Sequence, residues 1–237
     1  MKKILLLVLL FITSINYGQT AEEYFNKAAV KDELKDYLGA IEDYTKAIEL
    51  NPNYSDAYYN RGFAKVYLKD YEGAIGDYSK AIDLKPSEHY IYTSRAFLKG
   101  MLNDYQGAVE DYTEAIKLNN NNYVHYYDRG NIKLKLEDYR GAIIDFSRSS
   151  ELKPNFEYNY YSIGLAKSKI KEYKGAIASF SKAILLNSKE SLYYFLRGTV
   201  KDDLKDYQGA LTDYSQAIKL NPTSNSYYNR GLMRIKG

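Results

Sequence analysis

Residues 70–82 read Asp70-Tyr71-Glu72-Gly73-Ala74-Ile75-Gly76-Asp77-Tyr78-Ser79-Lys80-Ala81-Ile82, and close variants of this text return along the chain at a fixed interval. Its Gly-Ala pair recurs at Gly39-Ala40, Gly73-Ala74, Gly107-Ala108, Gly141-Ala142, Gly175-Ala176 and Gly209-Ala210, every 34 residues, with no insertion or deletion. Upstream lies a second recurring phrase, in its fullest form Tyr58-Tyr59-Asn60-Arg61-Gly62. Downstream comes a leucine, often followed by Asn-Pro or Lys-Pro. A fixed period of about 20–50 residues is the signature of an array in which one supersecondary unit stacks on the next.

Each copy holds two helical patterns. In the second, Tyr37, Ala40, Ile41, Tyr44, Ala47 and Ile48 fall three and four apart, which places them on one helix face. Asp36 stands just ahead as a predicted N-cap, accepting orphan amide hydrogens and complementing the helix dipole; Asp70, Asp104, Asp138 and Asp206 are its equivalents. Pro52, Pro86, Pro154 and Pro222 stand where a continuing helix would lose a backbone donor. The first helix of each copy is marked by Tyr58 and Gly62, with Leu68 near its end. A column of small residues, Ala28, Gly62, Ala96, Gly130, Gly164, Gly198 and Gly231, removes bulk where two helices approach.

On these residues the repeat resembles the tetratricopeptide family, which recurs every 34 residues with Trp-x-x-Leu-Gly-x-x-Tyr, then Ala-x-x-x-Phe, then Ala and Pro. The matching residues of the second copy are Tyr58, Arg61, Gly62, Lys65, Ala74, Tyr78, Ala81 and Pro86. Tyrosine replaces the tryptophan, Arg61 the leucine and Lys65 the second aromatic. The resemblance runs from Thr20 to Gly237. It implies an all-α fold, an α-solenoid wound as a right-handed superhelix of about six and a half helix pairs. The repeat domain would span 19–237, with units at about 21–54, 55–88, 89–122, 123–156, 157–190 and 191–222 and a terminal half unit at 223–237. The family's concave wall, built mainly from first helices, typically receives a peptide.

Two charged columns sit oddly on faces expected to be buried. Every full unit with Lys or Arg in the Arg61 column has Asp sixteen residues later: Lys27 and Asp43, Arg61 and Asp77, Arg95 and Asp111, Arg129 and Asp145, Arg197 and Asp213. The fifth unit has Ile163 and Ser179, so both charges vanish together. That covariation predicts a bridge between the two helices of a unit, because an unpaired buried charge costs roughly 3–5 kcal/mol. The competing reading is that both columns are solvated. Arg230 repeats the cation without an aspartate to follow.

Residues 1–18 read as a secretory signal: Lys2 and Lys3 begin it, Ile4 to Ile12 are all apolar, and Thr13 to Gln19 close it around Gly18. The apolar run is about half of what a membrane span needs. The expected product is periplasmic or secreted, without stable membrane insertion after signal removal. The chain has no cysteine, which excludes a lipid-modified N-terminal cysteine, disulfides and thiolate metal sites. With 33 basic and 30 acidic residues, two of the basic ones in the signal, the mature chain lacks the bias of a nucleic-acid binder.

If first helices line a groove, the column after Tyr58 faces it: Phe25, Tyr59, Thr93, Tyr127, Tyr161, Phe195 and Tyr228. Phe63, Tyr67 and Phe97 extend this aromatic stripe, whose rigid faces suit binding. The rings equally suit packing between neighbouring first helices, and both readings stand open. Some family members clamp chaperone C-terminal carboxylates with lysine, asparagine and arginine. Asn60 and Asn131 match clamp places, but Phe25, Ala29, Tyr90 and Ser94 stand where its other members should be.

His89 and His125, the only histidines, lie in different units without metal-ligand spacing and read as surface or helix-start residues. The acidic residues follow the repeat, and no nucleophile, phosphate loop, cofactor site or metal site is legible. The function expected is a non-catalytic scaffold or adaptor holding a protein or peptide in the groove. The alternatives are an exported glycan-binding or polysaccharide-uptake accessory protein, and an assembly module for a larger complex.

Overall fold

The six copies of the Gly-Ala text become six helix pairs, followed by one more helix, in a computed structural model that describes residues 19–236. The signal assigned to 1–18 lies outside the described residues. The fold is an all-α solenoid, with no strand among the described residues. One compact unit ends at Ser87 and a second begins at Glu88. The first holds α1 (Ala21–Glu33), α2 (Tyr37–Leu50), α3 (Ser55–Tyr67) and α4 (Tyr71–Leu84). The second holds α5 (His89–Met101), α6 (Tyr105–Leu118), α7 (Tyr123–Lys135), α8 (Tyr139–Leu152), α9 (Glu157–Lys169), α10 (Tyr173–Leu186), α11 (Ser191–Asp203), α12 (Tyr207–Leu220) and α13 (Ser224–Lys236). Within each unit every helix packs on the next in sequence.

The glycine of the Gly-Ala pair has a local cause. Asp36, Asp70, Asp104, Asp138 and Asp206 each accept the amide of the residue three on, at 2.9–3.0 Å, as the sequence predicts. A Cβ on Gly39, Gly73, Gly107, Gly141 or Gly209 would collide with that carboxylate. Glu172, the exception among the caps, makes no such bond.

Proline is not what ends the second helices. They stop at Leu50, Leu84, Leu118, Leu152, Leu186 and Leu220 whether proline follows or, in the third and fifth pairs, Asn120 and Ser188 do.

A turn of only three residues joins the helices of a pair. Its middle residue takes a left-handed backbone in every pair: Lys35, Lys69, Asn103, Glu137, Lys171 and Lys205 have φ of 59–66°. Lys35 donates its amide to Asp32 and Asp36 to Lys31, both at 2.9 Å, which satisfies carbonyls that the helix end leaves open.

In the first unit, Ala28, Ala40, Tyr44, Ala47, Ile48 and Ala57 form one buried cluster drawn from α1, α2 and α3. In the second, Phe146 packs with Ala142 and Ile163, Phe180 with Ala176 and Val200, and Tyr214 with Ala210 and Met233. Each cluster recruits a residue from the following pair, so a pair completes its core only with its neighbour. The small-residue column admits the rings: a Cβ on Gly130 would stand 2.7 Å from Phe146, and one on Gly62 2.9 Å from Tyr78.

The charged columns are bridges. Arg129 Nε and Nη2 donate to the two oxygens of Asp145 at 2.9 and 2.6 Å, and Arg61–Asp77, Arg95–Asp111 and Arg197–Asp213 repeat this geometry. Lys65, Lys99, Lys133 and Lys201 add a second cation to each aspartate at 2.8–2.9 Å. The first unit modifies the expected pairing: Lys27 stands 3.6 Å from Asp43, and Lys31, at 2.6 Å, is the closer partner. Burial pushes the Asp43 carboxyl up, but the hydrogen bond and charge of Lys31, with Lys27 and Lys46, outweigh it and hold the group below its ordinary value.

Polar side chains are buried on α8 and α9 as well. Ser149 on α8 and Asn159 on α9 are fully buried where other pairs carry alanine or another residue, and neither side chain finds a hydrogen-bond partner among the described residues.

Candidate functional site

The two aromatic columns on the first helices differ in depth. Phe25 lies half-buried, stacked on Tyr54 at 4.8 Å and tilted on Tyr44 at 5.6 Å. Tyr59 tilts on Tyr78 at 5.4 Å, Tyr127 on Phe146 at 5.6 Å and Phe195 on Tyr214 at 5.6 Å. Tyr161 meets Phe180 at 6.5 Å and Tyr193 at 5.5 Å. Each of these rings thus leans on the ring of its own second helix and keeps one edge exposed.

Phe63, Tyr67 and Phe97, four or eight residues further on, stand clear. In the first unit Phe63 is 43 % and Tyr67 53 % exposed. They meet edge to face at 5.2 Å, and Tyr37 stacks flat on Tyr67 at 4.4 Å, making a three-ring surface at the end of α3. In the second unit Phe97 is 57 % exposed on α5, and Tyr228, a member of the first column, is 67 % exposed on α13.

Asn60 and Asn131 are half-buried. Asn60 stands near the Tyr44 hydroxyl, which donates to Asp32 at 2.9 Å. Asn229 stands likewise near Tyr214, whose hydroxyl donates to Thr199 at 3.3 Å.

Asp128 of α7 stands in the Asn60 column, between the Tyr127 ring and Arg129. Its charge faces the buried Tyr112, and burial pushes its carboxyl up to about 6. Nothing in the repeat announces this residue except its departure from the column, where other pairs carry Asn60, Ser94, Ser162 and Leu196.

The histidines also meet. His89 opens α5 as expected, but His125 is buried on α7, and the two rings lie 5.0 Å apart. Asn119 and Asn122 contact their Nε2 atoms at 3.2 and 3.0 Å. Burial, then the neighbouring His89, pushes the His125 imidazole below its ordinary value. The 36-residue separation is one period plus two, which brings the rings of neighbouring first helices together. No group of three or more His, Asp or Glu could hold a metal ion among the described residues. Nor is any helix among them long and apolar enough to cross a membrane.

Comparison with known proteins agrees with this architecture. Family models described as "Tetratricopeptide repeat" match residues 55–88, and 90–122, 126–156, 158–190 and 192–224; one described as "TPR repeat" matches 33–67. No curated protein matches the sequence. Among solved structures, a MamA protein is 25% identical, with a TM-score of 0.68 over 73% of this chain and 94% of its own. YrrB, described as a TPR protein with an unusual peptide-binding site, is 21% identical, with a TM-score of 0.71 over 79% of this chain and 97% of its own. A tetratricopeptide repeat protein from Parabacteroides merdae is also 21% identical, with a TM-score of 0.71 over 92% and 87%.

Proposed function

Because the chain belongs to the tetratricopeptide repeat family, we propose that it is a non-catalytic scaffold that holds a peptide segment of a protein partner against its first helices. The observation that carries this reading is the exposure of Phe63 and Tyr67 in the first unit and Phe97 in the second, while second-helix rings such as Tyr44 and Tyr78 are no more than 2 % exposed. Rigid rings left in water offer large contact area with little loss of side-chain freedom. The description of YrrB as a peptide binder supports the same reading. The N-terminal pattern of Lys2, Lys3 and the apolar run supports export, so the partner is sought in the cell envelope or outside the cell.

A second reading, glycan capture, is favoured by Asp128 and Asn131, a carboxylate and an amide one and four residues after Tyr127 on α7. The test is a displayed peptide library and a glycan array, each probed with the mature chain and with a Phe63→Ala, Tyr67→Ala, Phe97→Ala variant. Peptide ligands lost by the variant, at unchanged helicity, support the scaffold reading. Array binding without peptide ligands replaces it with glycan capture.

A further inference from the structure

The first and sixth pairs share a couple that the other pairs lack: an aspartate near the end of the first helix and, after the turn, the tyrosine that opens the second. The couples are Asp32 with Tyr37 and Asp202 with Tyr207. Elsewhere Val66, Gly100, Leu134 and Ser168 stand in the aspartate's place.

In the sixth pair the couple holds an ammonium. Lys236 of α13 donates to both oxygens of Asp202, at 2.8 and 3.1 Å, and its Nζ lies over the Tyr207 ring, 5.5 Å from the centroid. Carboxylate and ring thus share one cation.

In the first pair a neutral ring takes that place. Counted from the glycine of Tyr-Tyr-Asn-Arg-Gly, the residue matching Lys236 of α13 is Tyr67 of α3. Tyr67 stacks on Tyr37 at 4.4 Å, as Lys236 covers Tyr207. Asp32 Oδ2 accepts the Tyr44 hydroxyl at 2.9 Å, whereas Oδ1, shut from water, has no hydrogen-bond partner among the described residues. A carboxylate oxygen left so is costly, and an arriving cation relieves the cost. Burial pushes the Asp32 carboxyl up, against the hydrogen bond from Tyr44.

We infer that Asp32, Tyr37 and Tyr67 form a receptor for a primary ammonium, the side chain of a lysine on the bound peptide. Tyr67 is the last residue of α3 and 53 % exposed, so its ring turns outward without disturbing the core and opens the place that Lys236 fills in the sixth pair. With one oxygen of Asp32 engaged by Tyr44, the carboxylate suits the point charge of lysine better than the planar fork of arginine. That a peptide carries the ammonium rests on the proposed scaffold function; the preference for an ammonium does not.

The probe is Nα-acetyl-lysine N-methylamide, with its norleucine analogue, which lacks the ammonium, as control. Each is titrated into the full chain labelled at its aspartate carboxyl carbons and followed by NMR, the Asp32 signal being assigned with Asp32→Asn. A saturable shift of the Asp32 carboxyl is expected with the lysine probe and none with the norleucine analogue. Tyr67→Lys installs the sixth-pair arrangement, fills the site from within and should weaken probe binding by roughly tenfold or more, at a helicity that circular dichroism shows unchanged. The inference is overturned if Asp32 does not respond to the lysine probe, if the norleucine analogue shifts it equally, or if Tyr67→Lys leaves binding unaltered. Library peptides that need the exposed rings but show no preference for lysine would also overturn it while upholding the scaffold function; a probe response without any peptide ligand would uphold the ammonium site and sink the scaffold.

Discussion

Arg129 and Asp145 close the fourth helix pair through two parallel hydrogen bonds, 2.9 Å from Nε and 2.6 Å from Nη2, with the aspartate only 1 % exposed. Lys133 reaches the same carboxylate at 2.8 Å. The aspartate is therefore the hub, and the two cations are not equivalent to it.

Removing the hub strands two charges. Asp145→Ser is expected to cost roughly 3–5 kcal/mol in urea denaturation. Arg129→Ile alone should cost less, because Lys133 still neutralises the carboxylate, much as Lys31 serves Asp43 at 2.6 Å. The double change installs the Ile163 and Ser179 arrangement of the fifth pair and should recover most of the loss. A double variant no more stable than Asp145→Ser would show that charge balance is not what the pair supplies.

Asp128 makes stability depend on pH. Its folded pKa, about 6, lies above the ordinary value of 3.8, so its contribution to stability is fully present below about 4 and is lost as pH rises through 6. A shift of this size corresponds to roughly 2–3 kcal/mol. Asp128→Asn should stabilise the chain at pH 7.5 and leave it nearly unchanged at pH 4. Equal differences between variant and parent at the two pH values, read from denaturation curves, would contradict the burial of this carboxylate.

The turn residues offer the opposite kind of change. A left-handed backbone costs a non-glycine residue roughly 1–2 kcal/mol, partly regained through the smaller freedom of its unfolded chain. Lys171→Gly, at φ 61°, should therefore stabilise by about 0.5–1 kcal/mol and raise Tm by a few degrees. Lys69→Gly, at φ 64° in the other compact unit, should do the same. A fall in Tm at both would mean that the lysine side chains outweigh the backbone strain.

Much of the fold was legible because repetition turns one sequence into several readings of the same structure. Asp36 and its equivalents could be assigned as caps, and Arg61–Asp77 as a bridge, because the residues recur and, in the fifth pair, disappear together. What repetition hides is depth. Tyr59 and Phe63 share a helix face, yet one leans on Tyr78 while the other stands in water, and spacing alone gives no measure of that difference. The departures from the repeat were hardest to read. Asp128, Ser149 and Asn159 look like ordinary polar substitutions until their burial is known. The approach of His89 to His125 depends on how one pair sits on the next. The left-handed turns were missed because lysine, asparagine and glutamate stand where glycine would have signalled them.

The silent polar atoms of Ser149 and Asn159 have a consequence for how the array fails. In a quasi-linear stack, each boundary between neighbours contributes its own cohesion, and melting starts where that cohesion is least. An unsatisfied buried polar group weakens packing by about 1–3 kcal/mol, and α8, which carries Ser149, packs on α9, which carries Asn159. Under denaturant the packing of α8 on α9 should loosen more readily than its apolar content alone implies, read as faster exchange of the amide hydrogens of these two helices in the parent than in Asn159→Leu.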